Sequence, residues 1–166
     1  NPFKPYDERQ SDDPFLQSDL AAQMIIHVPF TEAVTIKSIC IVGHTGGQAP
    51  RNVKMWVNQE AQAIDFSNVE DAEPDQEITQ LHEDFDGSCY YFTRRDKFNS
   101  VSSLTIFVEA NYGASNTRIN FIGFKGESGK GKRRAVHAIY EVIPDAADAR
   151  LNGVTQHEEA ATKMQF

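Results

Sequence analysis

The feature that most constrains this chain is a hydropathy period of two. Residues 34–42 (VTIKSICIV) and 53–57 (VKMWV) alternate, as an extended strand does when successive side chains point to opposite faces. In the first run Val34, Ile36, Ser38 and Cys40 are expected on one face, with Thr35, Lys37, Ile39 and Ile41 on the other. It reads as a half-buried strand that becomes fully buried toward its end. In the second run Val53, Met55 and Val57 oppose Lys54 and Trp56. Further strand-like runs lie at 24–28, 77–81, 89–92, 104–109, 117–125 and 135–142. Pro29 ends the first of these or pins it to an edge. Within 117–125, Ile119, Phe121 and Gly123 are expected opposite Arg118, Asn120, Ile122 and Phe124. Eight such runs with almost no helical periodicity predict an all-β sandwich or barrel. Ile36, Ile41, Met55, Ile106, Val108, Phe121 and Ile139 are the expected core. Residues 1–143 are expected to form one domain, and the polar, Ala-rich residues 144–166 a tail.

At 166 residues the chain fits a single domain. No apolar run approaches the ~18 residues of a membrane-spanning helix. Acidic residues number 24 against 16 basic ones, for a net charge of −8, which disfavours nucleic acid as the main partner. The two cysteines, Cys40 and Cys89, sit in apolar stretches and form neither a CxxC nor a disulfide framework. With no Asn-x-Ser/Thr sequon and no visible signal peptide, the expected compartment is reducing: cytoplasm or nucleus.

The charges are unevenly placed. Residues 55–93 hold ten Asp and Glu and no Lys or Arg. Residues 125–134 (KGESGKGKRR) hold five basic residues and one acidic. Most charge runs are solvated loops; here they also predict a bipolar surface that orients the domain on a charged partner. Glu70, Asp71 and Glu73 on the acidic side, and Lys130, Lys132, Arg133 and Arg134 on the basic side, are the candidate partner-binding residues.

Motifs for chemistry fail one by one. Residues 126–132 (GESGKGK) satisfy GxxxxGK, but Arg133 stands where a Ser or Thr would hold Mg²⁺, and a β pattern follows instead of a helix. Aligning Gly87 with the glycine of a calcium loop puts His82 at the first ligand position and Thr93 where a bidentate Glu is needed. The five histidines show no zinc spacing, and only His44, in the Gly-rich turn 43–50, looks presented. There is no GxSxG elbow. Cys40 reads as a small buried hydrophobe; Cys89, beside a Gly-Ser turn, reads as more exposed. No cofactor, metal or catalytic residue is therefore expected.

Five stretches resemble the PITH domain family, a proteasome-interacting module found at the C-terminus of thioredoxin-like proteins and also alone. They are the NPF-type opening at 1–8, a Ser-Asp stretch and first strand at 16–31, and an Asp-Phe, acidic, Pro-x-Gln loop at 64–76. The fourth, at 101–126, holds Leu-Thr-Ile-Phe-Val, an Asn-x-Gly turn, and Thr-Arg-Ile before Phe-Ile-Gly-Phe; the fifth is the segment 133–150. The resemblance implies a jelly-roll β-sandwich of the galactose-binding-domain type, similar to the processivity subunit of the anaphase-promoting complex. It also implies binding to the 26S proteasome regulatory particle. It transfers no catalytic residue, and without a CxxC no redox activity. Two classes of function remain open: a protein-interaction module, docked on the proteasome or serving as a structural subunit of another large assembly, or a β-sandwich binding a carbohydrate or lipid headgroup at its loops.

Overall fold

The computed structural model describes residues 2–128. Their elements are a 3₁₀ turn (Tyr6–Glu8) and seven strands: β1 (Leu16–Gln17), β2 (Met24–Gly43), β3 (Pro50–Val57), β4 (Gln76–Ile78), β5 (Tyr91–Phe92), β6 (Val101–Asn111) and β7 (Arg118–Ser128). All pairings are antiparallel, in the order β1-β7-β2-β6-β3-β4, with β5 added beside β2. The expected strand at 135–142, Ile139 within it and the boundary at 143 lie outside the described residues.

Residues 24–28 and 34–42, read as two strands, form one strand of 20 residues. Pro29 does not end it. Pro29 pairs with Ser103 just before an irregularity that runs to Val34, the kind of position where a residue lacking an N–H is tolerated. Across that bend β2 changes neighbours. Its first part pairs with β6 (Ile26 opposite Ile106), and its second with β7 (Ile41 opposite Ile122) and β5. There is no α-helix among the described residues, so the apolar face of one part can be buried only against that of the other. Ile26, Met55 and Ile106 from one side meet Ile36, Ile41, Ile119 and Ile122 from the other in a single core. The result is an all-β sandwich that fits the galactose-binding-type jelly roll. Of the seven expected core residues, the six described ones are buried.

Two bulges correct the expected faces. Ile36 lies opposite Gly126 and Ser38 opposite Lys125, so Lys37 is an extra residue on β2. Beyond it the alternation reverses. Ile39 and Ile41 join Val34 and Ile36 in the main core, while Cys40 and Val42 face the other way with Phe121. On β7, Asn120 is extra between Phe121, opposite Val42, and Ile119, opposite Gly43. Ile119, Ile122 and Phe124 therefore share the main core and Phe121 does not. The first bulge is fixed from the opposite edge, where Thr93 N–H donates to Lys37 O at 3.0 Å and Thr93 Oγ1 to Ile36 O at 2.5 Å. Gly126 permits the close approach there, because a Cβ on it would lie 2.0 Å from Thr35 O.

Three variants test this arrangement. Ile106→Ala, at a fully buried site, should cost about 2–5 kcal/mol, read from the shift of the urea midpoint. Lys37→Ala removes only an exposed ion pair with Glu127 and should cost no more than about 1 kcal/mol. Deleting Lys37 should leave a cooperative urea transition, because with the extra residue gone Ile36, Ile39 and Ile41 still fall on one face by plain alternation and Ser38 keeps its place opposite Lys125.

Candidate functional site

The outer face of β3 and β6 carries two large aromatic residues, Trp56 and Phe107, that the sandwich core does not cover. The acidic loop covers them. Val69 is buried against both, Ile64 and Ala72 pack beside it, and the Phe66 ring meets Phe107 edge to face at 6.3 Å. Polar bonds hold the loop in that position. Trp56 Nε1 donates to Glu73 O at 3.0 Å, Asp75 N–H donates to Met55 O at 2.9 Å, and Asp75 Oδ2 accepts from Val57 N–H at 2.9 Å. Asp65 Oδ1 accepts from Ser67 N–H at 2.8 Å, and Asp65 N–H donates to Asn68 Oδ1 at 3.0 Å. The Ser67 hydroxyl and N–H hold the Asp65 carboxyl below its ordinary range.

The acidic residues thus fall into two sets. Asp65 and Asp75 turn their carboxylates back onto the chain. Glu70, Asp71 and Glu73 are exposed, and among the described residues none forms an ion pair. Glu70 reaches Lys54 only through its field; Lys54 itself pairs with Glu109 at 2.9 Å, and that contact raises the lysine's pKa. The three expected acidic residues therefore share one loop with a fixed backbone. The basic candidates Lys130, Lys132, Arg133 and Arg134 lie outside the described residues.

The calcium-like loop has another use. Asp84 is buried, and its Oδ1 accepts from the N–H groups of Gly87 at 2.8 Å, Asp86 at 3.1 Å and Ser88 at 3.3 Å. Its Oδ2 accepts from Cys89 N–H at 2.9 Å. The carboxylate closes its own turn, with Gly87 at φ +77°, where a Cβ would also strike Arg9. Cys40 Sγ lies 3.8 Å from Asp84 Oδ2, and burial with that neighbouring carboxylate pushes its thiol pKa up, away from thiolate chemistry. His27 Nδ1 pairs with Thr105 Oγ1 at 3.0 Å, and His44 Nδ1 with Thr45 O at 3.2 Å. Among the described residues no three His, Cys, Asp or Glu cluster as metal ligands would.

Several residues behind the family likeness act as internal clasps. Phe3 stacks on Phe124, Tyr6 meets Phe121 edge-on, and Ile122 N–H donates to Pro2 O at 3.1 Å. Buried Lys4 donates to Ser11 O at 2.6 Å and Pro14 O at 3.0 Å; desolvation there lowers its pKa. Thr117 N–H donates to Ser18 Oγ at 2.8 Å, and the Arg118 guanidinium covers the Phe15 ring at 3.9 Å. Asn111 Nδ2 donates to Ala114 O at 3.0 Å and Asn116 O at 2.9 Å, closing the Asn-x-Gly turn. Gln76 joins the acidic loop to the next segment through Phe92 O and Arg94 N–H, each at 2.9 Å.

The sequence reading missed an open groove of about 460 Å³ between the segment after β1 and Phe66. Leu16, Leu20, Ala21, Met24, Ile25 and Phe66 supply its apolar lining. Its signal in the sequence was slight: one Leu in SDLAAQ and one Phe in IDFSN, each an apolar residue in a polar stretch.

Asp84→Ala should cost about 1–3 kcal/mol by leaving buried N–H groups of its turn unpaired, measured as a fall in the urea midpoint. Treatment with EDTA should leave the melting temperature unchanged.

The PITH domain family model matches residues 1–144. PITH domain-containing protein 1 of Dictyostelium discoideum is 36% identical over 156 residues, covering 92% of this chain and 76% of that protein. The human protein of the same name is 32% identical over 154 residues, covering 92% and 71% respectively. The zebrafish (Danio rerio) one is 30% identical over 154 residues, again covering 92% and 71%. With the family model spanning most of the chain and these relatives similar along nearly all of it, the chain belongs to the PITH domain family.

Proposed function

We propose that this chain is a non-catalytic interaction module that docks on the regulatory particle of the 26S proteasome, in the cytoplasm or nucleus. Membership of the PITH family is what supports that partner. The observation in the molecule that carries the docking reading is the acidic loop. Its backbone is fixed by Trp56, Asp75 and Asp65, while Glu70, Asp71 and Glu73 project without a pairing cation among the described residues. A recognition loop held in shape before binding loses less conformational freedom on docking. Its unpaired charge raises the association rate with a basic surface and penalises acidic ones. Two groups of a type used in catalysis are engaged elsewhere: Cys40 is buried with a raised pKa, and Asp84 closes a turn.

The test is co-sedimentation with purified 26S proteasome at about 0.1 M and about 0.5 M salt, where the Debye length falls from roughly 10 Å to roughly 4 Å. The triple variant E70Q/D71N/E73Q should bind several-fold more weakly than wild type at the lower salt and nearly equally at the higher. Equal loss at both would assign the loop to packing. No loss at either would remove it from the interface. Failure of the wild type to sediment with the particle would overturn the function itself.

A further inference from the structure

We infer that the groove between the segment after β1 and Phe66 receives a short segment of a partner protein bearing an apolar side chain flanked by Lys or Arg. This rests on the docking reading above and supplies it with a contact surface. Leu20 is 97% exposed and Phe66 62%. A single exposed Leu is ordinary. Two large apolar side chains from segments 46 residues apart, lining one groove, form the kind of apolar anchor point at which binding energy concentrates. Ala21 and Ile25 continue the apolar lining between them.

Charge selects the occupant. Asp19 lines the groove and no basic residue does. Asp65 precedes Phe66 in the chain, and Glu70, Asp71 and Glu73 follow on the same loop. An anionic membrane or nucleic acid would meet this rim with like charge. A second copy of the chain, with its net charge of −8, would do the same. The chain's own basic residues at 130–134 lie outside the described residues, and their occupancy of the groove would show as an absence of shifts with the basic peptides. The residues after 143 hold four acidic side chains against two basic ones and lack the complementary charge.

The experiment is an NMR titration of the ¹⁵N-labelled full chain with two pools of decapeptides. Both pools hold a central Leu-x-x-Phe; one is flanked by Lys and Arg, the other by Asp and Glu. The basic pool should produce saturable shifts confined to residues 16–25 and 65–66, and the acidic pool none. L20E should weaken binding at least tenfold, while L20M should retain it. Leu20 is almost wholly solvent-exposed, so neither change disturbs folding. Absence of saturable shifts at these residues with the basic pool, equal shifts with both pools, or indifference to L20E would each overturn the inference. The titration uses no proteasome, so the two conclusions fail separately. A chain that takes the basic pool but ignores the regulatory particle keeps the groove and loses the proposed partner. A chain that binds the particle but not the pool does the reverse.

Discussion

The fold depends on one strand belonging to both halves of the sandwich. β2 pairs with β6 before its bend and with β7 and β5 after it, so its residues contribute to both walls of the core. A two-layer β-fold with no helix must bury one sheet face against another, and a shared strand fixes their relative position without a separate connector. Two bulges then set which side chains reach the core. Lys37 and Asn120 are polar, and each occupies a place in its strand where an unpaired residue is accommodated.

On this frame the functional surface is an outer layer laid over aromatic residues. Trp56 and Phe107 would be exposed on a bare sheet; the acidic loop buries them and is held by them. Stability and recognition are thereby combined in one segment. Its inward residues (Ile64, Val69, Ala72) pack and its outward ones (Glu70, Asp71, Glu73) stay solvated. The segment after β1 is held in a comparable way through Ser18 and Thr117, which leaves Leu20 outside. Both borders of the groove are therefore built by hydrogen bonds and packing behind them.

The strand content was legible because alternation at 34–36 and 53–57 reflects burial directly. The faces beyond residue 37 were not, because a bulge leaves no hydropathy signature: Lys37 fits an outward position with or without it. Pro29 misled for a related reason, since a proline at a bend within a strand looks like one at its end. The acidic candidates were legible as a charge run, but the run did not separate Asp65 and Asp75, which bond inward, from Glu70, Asp71 and Glu73, which do not. The Asp-x-Asp-Gly spacing at 84–87 suggested cation ligands, whereas the structure directs Asp84 at four backbone N–H groups. The groove was least visible, because it joins residues far apart in sequence and each of its two exposed apolar side chains is unremarkable alone.

The double membership of β2 also bears on how the chain is made. β2 leaves the ribosome before its long partners β6 and β7, which are the last two described strands to follow. Until they arrive, both edges of a 20-residue apolar strand lack their principal ladders, and the N-terminal segment lacks Ile119, Phe121 and Ile122 to rest on. Vectorial synthesis therefore offers this domain little stepwise folding. The nascent half-domain presents an unpaired hydrophobic strand, the form most open to mispairing, for as long as residues 44–117 take to appear. An architecture that places its shared central strand ahead of both long partners therefore has its greatest exposure to mispairing during synthesis.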